Sequence, residues 1–170
     1  MRILDVGTGS GVVAITLALE LRDIIVDAVD ISATALKSAR ANVIAHGAEQ
    51  INLLRGDLGT ALTRVYNAVV ANLPYVCHGD MARLQPEVRA WEPAIALDGG
   101  ADGLTQIRRL VAQAPSLLVP GGLLALEIGA GQSGEVNRML QATTWWDDIR
   151  VDADLAGIPR VVLARLTGHD

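Results

Sequence analysis

Three glycines, at positions 7, 9 and 11 of the segment Asp5-Val6-Gly7-Thr8-Gly9-Ser10-Gly11, stand between an apolar run and a helical pattern. Glycine there lets the backbone approach a ligand, because no Cβ intervenes and positive φ costs little. A dinucleotide loop of the G-x-G-x-x-G kind would need its third glycine at 12, where Val12 stands, and no second segment supplies a pyrophosphate cradle. Asp30 ends the next apolar run, followed by Ile31; a carboxylate at that place can accept from both hydroxyls of a ribose. After the third run come Gly56, Asp57 and Leu58, where the carboxylate can accept from an adenine amino group and Leu58 can pack on the ring. In register along one frame, the three features describe an adenosine-bearing ligand. The plainer alternatives are a tight turn at the glycines and an Asp30 that merely caps the helix starting near Ser32.

The Asp-x-Gly-x-Gly-x-Gly spacing resembles motif I of the class I methyltransferases, whose cofactor is S-adenosylmethionine. A fourth feature, Asn72-Leu73-Pro74-Tyr75, directly follows the fourth strand and resembles the Asn-Pro-Pro-Tyr motif of methyltransferases that act on a planar nitrogen. Such a nitrogen is a poor nucleophile, since its lone pair is delocalised. The Asn72 side-chain oxygen and the Leu73 carbonyl can each accept one of its N–H groups. Pro74 confines Leu73 to extended backbone and so fixes that carbonyl. Tyr75 can stack on the flat group and exclude water. No strong base is needed: positioning and preorganised dipoles carry the reaction.

These residues require a frame that brings strand ends together. Apolar, β-branched runs predict strands at 3–6, 24–29, 51–54, 68–71 and 123–128, and helical periodicity predicts helices at 12–21, 33–46, 104–118 and 133–142. A short helix is expected near 60–64, another within 81–89, and a turn at Pro120-Gly121-Gly122. Two closing strands, 148–153 and 160–166, have no helix between them and form a hairpin around Gly157-Ile158-Pro159. The expected fold is α/β, a Rossmann-like seven-stranded sheet, mostly parallel, with an antiparallel strand from the C-terminal hairpin.

Composition narrows the setting. The 170 residues form a single domain, and half of them are apolar while only 3% are aromatic, which suits parallel strands covered on both faces. The net charge of −5 disfavours nucleic acid as a partner. Cys77 is the sole cysteine, and His46, His78 and His169 lack ligand spacing, so no metal is expected. No apolar run approaches the ~18 residues that span a bilayer; the expected location is cytoplasmic, with no membrane partner. The uncovered side of the first strand leaves a dimer open.

Over essentially its whole length the chain resembles the release-factor glutamine N5-methyltransferases of the HemK/PrmC type. The resemblance rests on the segments above and on Trp91-Glu92-Pro93, Gly99-Gly100-Ala101-Asp102-Gly103-Leu104, Leu126-Glu127-Ile128-Gly129 with Gln132, and Asp154-Leu155-Ala156-Gly157-Ile158-Pro159-Arg160-Val161. It implies methyl transfer to the glutamine amide of a Gly-Gly-Gln loop in a peptide-chain release factor. It further implies cofactor contacts at Asp5, Gly7, Thr8, Gly9, Ser10, Gly11, Asp30, Ile31, Asp57, Leu58 and Asn72, with Asn72, Leu73, Pro74 and Tyr75 holding the glutamine. The family has Pro where Leu73 stands, and its N-terminal helical docking domain has no counterpart in residues 1–170. Asn-Leu-Pro-Tyr is the form seen in ribosomal RNA adenine dimethyltransferases, so an adenine N6-methyltransferase is the enzyme alternative; a non-catalytic cofactor-binding scaffold is the other. Cys77-His78 lacks an evident orienting acid, Asp102 is expected to cap a helix, Trp145-Trp146 to sit in the core or an interface, and Glu92 to belong to a lid.

Overall fold

The computed structural model describes residues 1–84 and 93–168. Seven strands form one sheet in the order β3-β2-β1-β4-β5-β7-β6. They are β1 (Arg2–Val6), β2 (Ile25–Asp30), β3 (Ile51–Arg55), β4 (Tyr66–Ala71), β5 (Leu118–Glu127), β6 (Trp146–Ala153) and β7 (Pro159–Leu166). The first five run parallel; β7 lies antiparallel to β5, and β6 antiparallel to β7. The helices are α1 (Val12–Glu20), α2 (Ala33–His46), the single turn α3 (Ala94–Leu97), α4 (Thr105–Leu117) and α5 (Ser133–Gln141).

Strand side chains alternate between faces, and the core divides accordingly. Ile3, Val26 and Ala28 pack with Ala14, Ile15 and Ala18 of α1 on one face. Leu4, Val6 and Val29 join Ile107, Leu110, Ala114, Val136 and Leu140 of α4 and α5 on the other. Burial on both faces is why β1, β2 and β4 read as mostly apolar rather than alternating, although Asp5 and Asp27 are buried within them.

The order of strands places the site. From β1 the chain winds outward to β2 and β3, then returns to β4 on the opposite side of β1 and continues to β5. Ligands in open α/β sheets bind at such a reversal, beyond the carboxyl ends of the strands. Because Val6 is paired with Ala71, the glycine loop after β1 and Asn72 after β4 leave the sheet side by side.

Several local expectations change. The segment near 60–64 forms turns, closed by Thr60 N–H to the Asp57 carbonyl and Leu62 N–H to the Gly59 carbonyl, with no helix. Few residues separate it from β4, which starts at Tyr66, two residues earlier than the apolar run suggests. Pro120, Gly121 and Gly122 lie inside β5 as a bulge: Tyr66 is opposite Leu118 while Ala68 is opposite Leu123. Gly121 has φ +74°, a value that opens such a bulge without strain. β6 begins at Trp146, whose ring is buried, while Trp145 is half exposed. Of the helix expected within 81–89, the described part is a 3-10 turn, His78–Arg83; the remainder, with Trp91 and Glu92, lies outside the described residues.

Candidate functional site

The glycine loop is held from below. Gly7 and Thr8 N–H both donate to the Val29 carbonyl, at 2.9 and 3.0 Å, so the chain turns sharply as it leaves β1. Gly7, Gly9 and Gly11 all have positive φ, which a side chain would resist. Asp5 is almost fully buried and points inward: its Oδ2 accepts the Thr8 hydroxyl at 2.6 Å and Ala14 N–H at 3.2 Å. It thus shapes the loop and ties it to α1, presenting no surface to a ligand. Burial pushes its carboxyl up to about 6, against the pull of those two hydrogen bonds. Thr8 is buried with it, while Ser10 is exposed.

Asp30 braces the same loop from the neighbouring strand. Its Oδ2 accepts Gly9 N–H and its Oδ1 accepts Ser32 N–H, each at 2.8 Å. A carboxylate offers about four lone-pair positions, so two remain for the hydroxyls of a ribose. The cap of α2 comes from Ser32, whose hydroxyl oxygen accepts Ala35 N–H, and not from Asp30. Ile31 is half exposed beside it.

At the end of β3, Asp57 is not free: Arg109 of α4 donates to its Oδ2 at 2.7 Å. Gln106 accepts from the other arm of Arg109, and Gln113, one turn on, accepts Gly59 N–H. Leu58 between them is buried and has φ +52°, a strained value for a branched side chain. One polar stripe of α4 therefore holds the loop in which Asp57 and Leu58 sit. Arg109 and Gln113 were not anticipated; the signal was polar residues at 106, 109 and 113 interrupting a helix whose other face carries Ile107, Leu110 and Ala114.

Beyond β4, Asn72 is exposed at the sheet edge, whereas Leu73 turns inward, only 4% exposed, over the glycine loop. The Tyr75 ring is half buried, and burial with the nearby Glu127 carboxylate raises its hydroxyl above the usual phenol range. Arg160, which donates to Asp154 at 3.0 Å, opposes that shift. Val76 N–H donates to the Leu97 carbonyl and Gly99 N–H to the Val76 carbonyl, so the segment from 97 to 100 runs beside the loop like a short extra strand. Gln132 reaches the Tyr75 carbonyl from α5. The structure thus places Leu73 against Gly7 and Asp30 against Gly9 beyond the carboxyl ends of β4, β1 and β2, with Asp57 and Leu58 following β3.

The remaining residues have other roles. His78 does have an acid, Asp98, at 2.8 Å, which sequence spacing did not reveal. The pair is largely exposed, and the His78 ring is engaged with Asp98. Asp102 does not cap α4, whose first residue follows Leu104 with no side-chain cap; it accepts Leu104 N–H in the turn before the helix and pairs with Arg108. Among the described residues no three His, Cys, Asp or Glu side chains converge as metal ligands, and no helix is long and apolar enough to cross a membrane.

A parallel sheet reversing at β1 and β4, with a glycine loop and a carboxylate-ended β2 at the reversal, is the architecture of the S-adenosylmethionine-dependent methyltransferases. The profile of the family described as "Methyltransferase small domain" matches residues 1–86. This chain belongs to that family. Among curated proteins it is similar to the release factor glutamine methyltransferase of Gloeobacter violaceus, 45% identical over 95% of this chain and 57% of that protein. The chain therefore spans a little over half the length of that relative. Among solved structures it is similar to TrmN from Thermus thermophilus (TM-score 0.69, 24% identity, 98% of this chain and 44% of that one). A Streptococcus mutans methyltransferase in complex with SAH has TM-score 0.64 at 18% identity, over 97% of this chain and 88% of that one.

Proposed function

We propose that residues 1–170 act as one catalytic unit that methylates the side-chain amide nitrogen of a glutamine, in the Gly-Gly-Gln loop of a peptide-chain release factor. The observation that carries this is the position of Asn72-Leu73-Pro74-Tyr75, side by side with the glycine loop at the sheet reversal. Relatives named for the same reaction support it across nearly the whole chain.

Bound S-adenosylmethionine supplies an electrophilic methyl group. The residues of this chain do the rest. Asn72 Oδ1 and the Leu73 carbonyl accept the two N–H groups of the glutamine amide and aim its nitrogen at the methyl. Tyr75 lies against the flat amide and keeps water away. The two acceptors would stabilise the positive charge that develops on the nitrogen as it takes the methyl and S-adenosylhomocysteine leaves, and one N–H proton would then pass to solvent. Preorganised acceptors of this kind stabilise the charge without having to reorient. Gly7 to Gly11 and Asp30 hold the donor, with Asp57 and Leu58 at its adenine.

Transfer of a labelled methyl group to a Gly-Gly-Gln peptide tests the proposal. Label entering RNA alone would instead favour the adenine N6 reading, for which Leu73 is the supporting observation.

A further inference from the structure

Gln132 spends every hydrogen-bonding group of its carboxamide on backbone. Its Oε1 accepts Gly129 N–H at 2.8 Å; its Nε2 donates to the Tyr75 carbonyl at 3.0 Å and to the Gly103 carbonyl at 3.4 Å. One side chain thus joins three segments that are far apart in sequence: the end of β5, the loop after β4, and the turn before α4. The space around it is filled by backbone. A Cβ on Gly99 would fall 2.7 Å from the Pro74 carbonyl oxygen, and one on Gly103 would meet the Tyr75 carbonyl and lie 2.6 Å from Gln132 Nε2. Residues 74–75, 99–103 and 129–132 are therefore packed closely, with the Gln132 amide and the edge of the Tyr75 ring among them.

We propose that Gln132 is a positioning residue for the amide-binding loop: by holding the Tyr75 carbonyl it fixes the peptide planes on which the Leu73 acceptor and the Tyr75 ring depend. This rests on the reading of residues 72–75 as the site for the accepting amide. Pro74 restrains the loop from one side, but a proline restrains only φ and the residue before it. The Tyr75 end is bridged at Val76 to residues 97–99, and Gln132 adds the hold on the Tyr75 carbonyl itself. A displacement of about 1 Å at a reacting group can cost ~100-fold in rate.

The two halves of the carboxamide separate this role from simple capping of α5. Glu at 132 keeps an acceptor for Gly129 N–H and adds negative charge at a helix N-terminus, which favours folding. It cannot donate, and it sets a carboxylate against the Tyr75 and Gly103 carbonyls. Met at 132 keeps the length and loses both functions.

The experiment compares Gln132→Glu and Gln132→Met with the wild-type chain in three measurements. These are S-adenosylhomocysteine affinity by calorimetry, hydrogen exchange of peptides covering 72–78 and 98–104, and turnover on a Gly-Gly-Gln peptide. Cofactor affinity should stay within ~3-fold in both variants, because Gly7 to Gly11 and Asp30 are untouched. Exchange should quicken in both peptides, and turnover should fall ~10- to 100-fold, mostly in kcat, with Glu no better than Met. If Glu matches wild type in exchange and turnover, Gln132 is only a cap and the inference is overturned. Faster exchange with unchanged turnover overturns it as well. A wild-type chain that binds S-adenosylhomocysteine yet methylates no glutamine peptide overturns the functional reading alone; unchanged exchange in the variants then still decides against the hold, and quickened exchange for it.

Discussion

Leu73 closes over Gly7: a Cβ built on Gly7 would stand 2.9 Å from Leu73 Cδ2 and 3.7 Å from the Asn72 carbonyl oxygen. The glycine loop and the loop of residues 72–75 are thus one packed unit, in which the small residue of one makes room for the large residue of the other. Gly7 also has φ +72°. Gly7→Ala should therefore suffer twice, from backbone strain of about 1–2 kcal/mol and from the clash. S-adenosylhomocysteine affinity should fall at least ~10-fold by calorimetry; affinity equal to wild type would show that the two loops are not coupled as described. Leu73→Pro keeps the carbonyl that the chemistry uses and gives up part of the buried contact. Glutamine methylation should persist or rise, and a complete loss would mean that the leucine side chain itself selects the substrate.

Asn72 and Asp30 both stand at the carboxyl ends of strands yet should fail differently. Asn72 is exposed and has no hydrogen-bond partner to lose among the described residues, so Asn72→Ala should fold normally, bind S-adenosylhomocysteine within a few-fold of wild type, and lose ~100-fold or more in kcat. Asp30 accepts from Gly9 and Ser32 N–H, so its removal loosens the glycine loop as well as taking away the proposed ribose acceptor. Asp30→Ala should weaken S-adenosylhomocysteine binding ~100-fold, with the smaller part of the loss remaining at saturating cofactor. Equal losses of turnover and affinity in both variants would refute the division of roles.

The parts of this arrangement visible in the sequence were those made by neighbours along the chain. The glycine spacing, the carboxylate ending β2 and the four-residue loop after β4 are local patterns, and a parallel frame places them together. What was hidden depends on side chains meeting across the fold. Arg109 finds Asp57 from 52 residues away, and Gln132 finds Tyr75 from 57 away. Asp5 was legible as part of the glycine motif but not as a buried group turned onto Thr8 and Ala14, because orientation at a strand end is set by packing. Pro120-Gly121-Gly122 misled for a related reason: turn residues also make a bulge, and pairing on both sides of them keeps the strand going.

Arg109 should act on base recognition more than on stability. Both partners of its bridge to Asp57 are about two-fifths exposed, so the ion pair contributes at most about 1 kcal/mol to folding. It does fix Asp57 by one oxygen, leaving Oδ1 as the acceptor for an exocyclic amino group. Wild-type chain should bind S-adenosylhomocysteine more tightly than its inosine analogue, which lacks that amino group. In Arg109→Ala the preference should shrink ~5- to 10-fold while the melting temperature changes by only a few degrees. An undiminished preference would place adenine recognition elsewhere.

Asp5 makes the glycine loop sensitive to pH in a direction opposite to most paired carboxylates. Its carboxyl titrates at about 6 in the folded chain, because burial outweighs the hydrogen bonds from Thr8 and Ala14, against 3.8 for an ordinary aspartate. The folded state therefore holds the proton more tightly than the unfolded state. Stability from this group is greatest below about 4 and declines as pH rises to about 6, and the full cost of the buried charge, roughly 3 kcal/mol, stands above that. Asp5→Asn carries no charge at any of these values and keeps an oxygen that can accept from Thr8 or Ala14. Its melting temperature relative to wild type should thus climb as pH is raised from 4 to 7, by roughly 6–12 °C for a domain of this size. The other titrating groups are shared by the two proteins, and among them Asp30 is the one whose charge acts on Asp5. A difference that is flat across that window would mean that the Asp5 carboxyl is not raised, and that water or rearrangement of the loop relieves its burial.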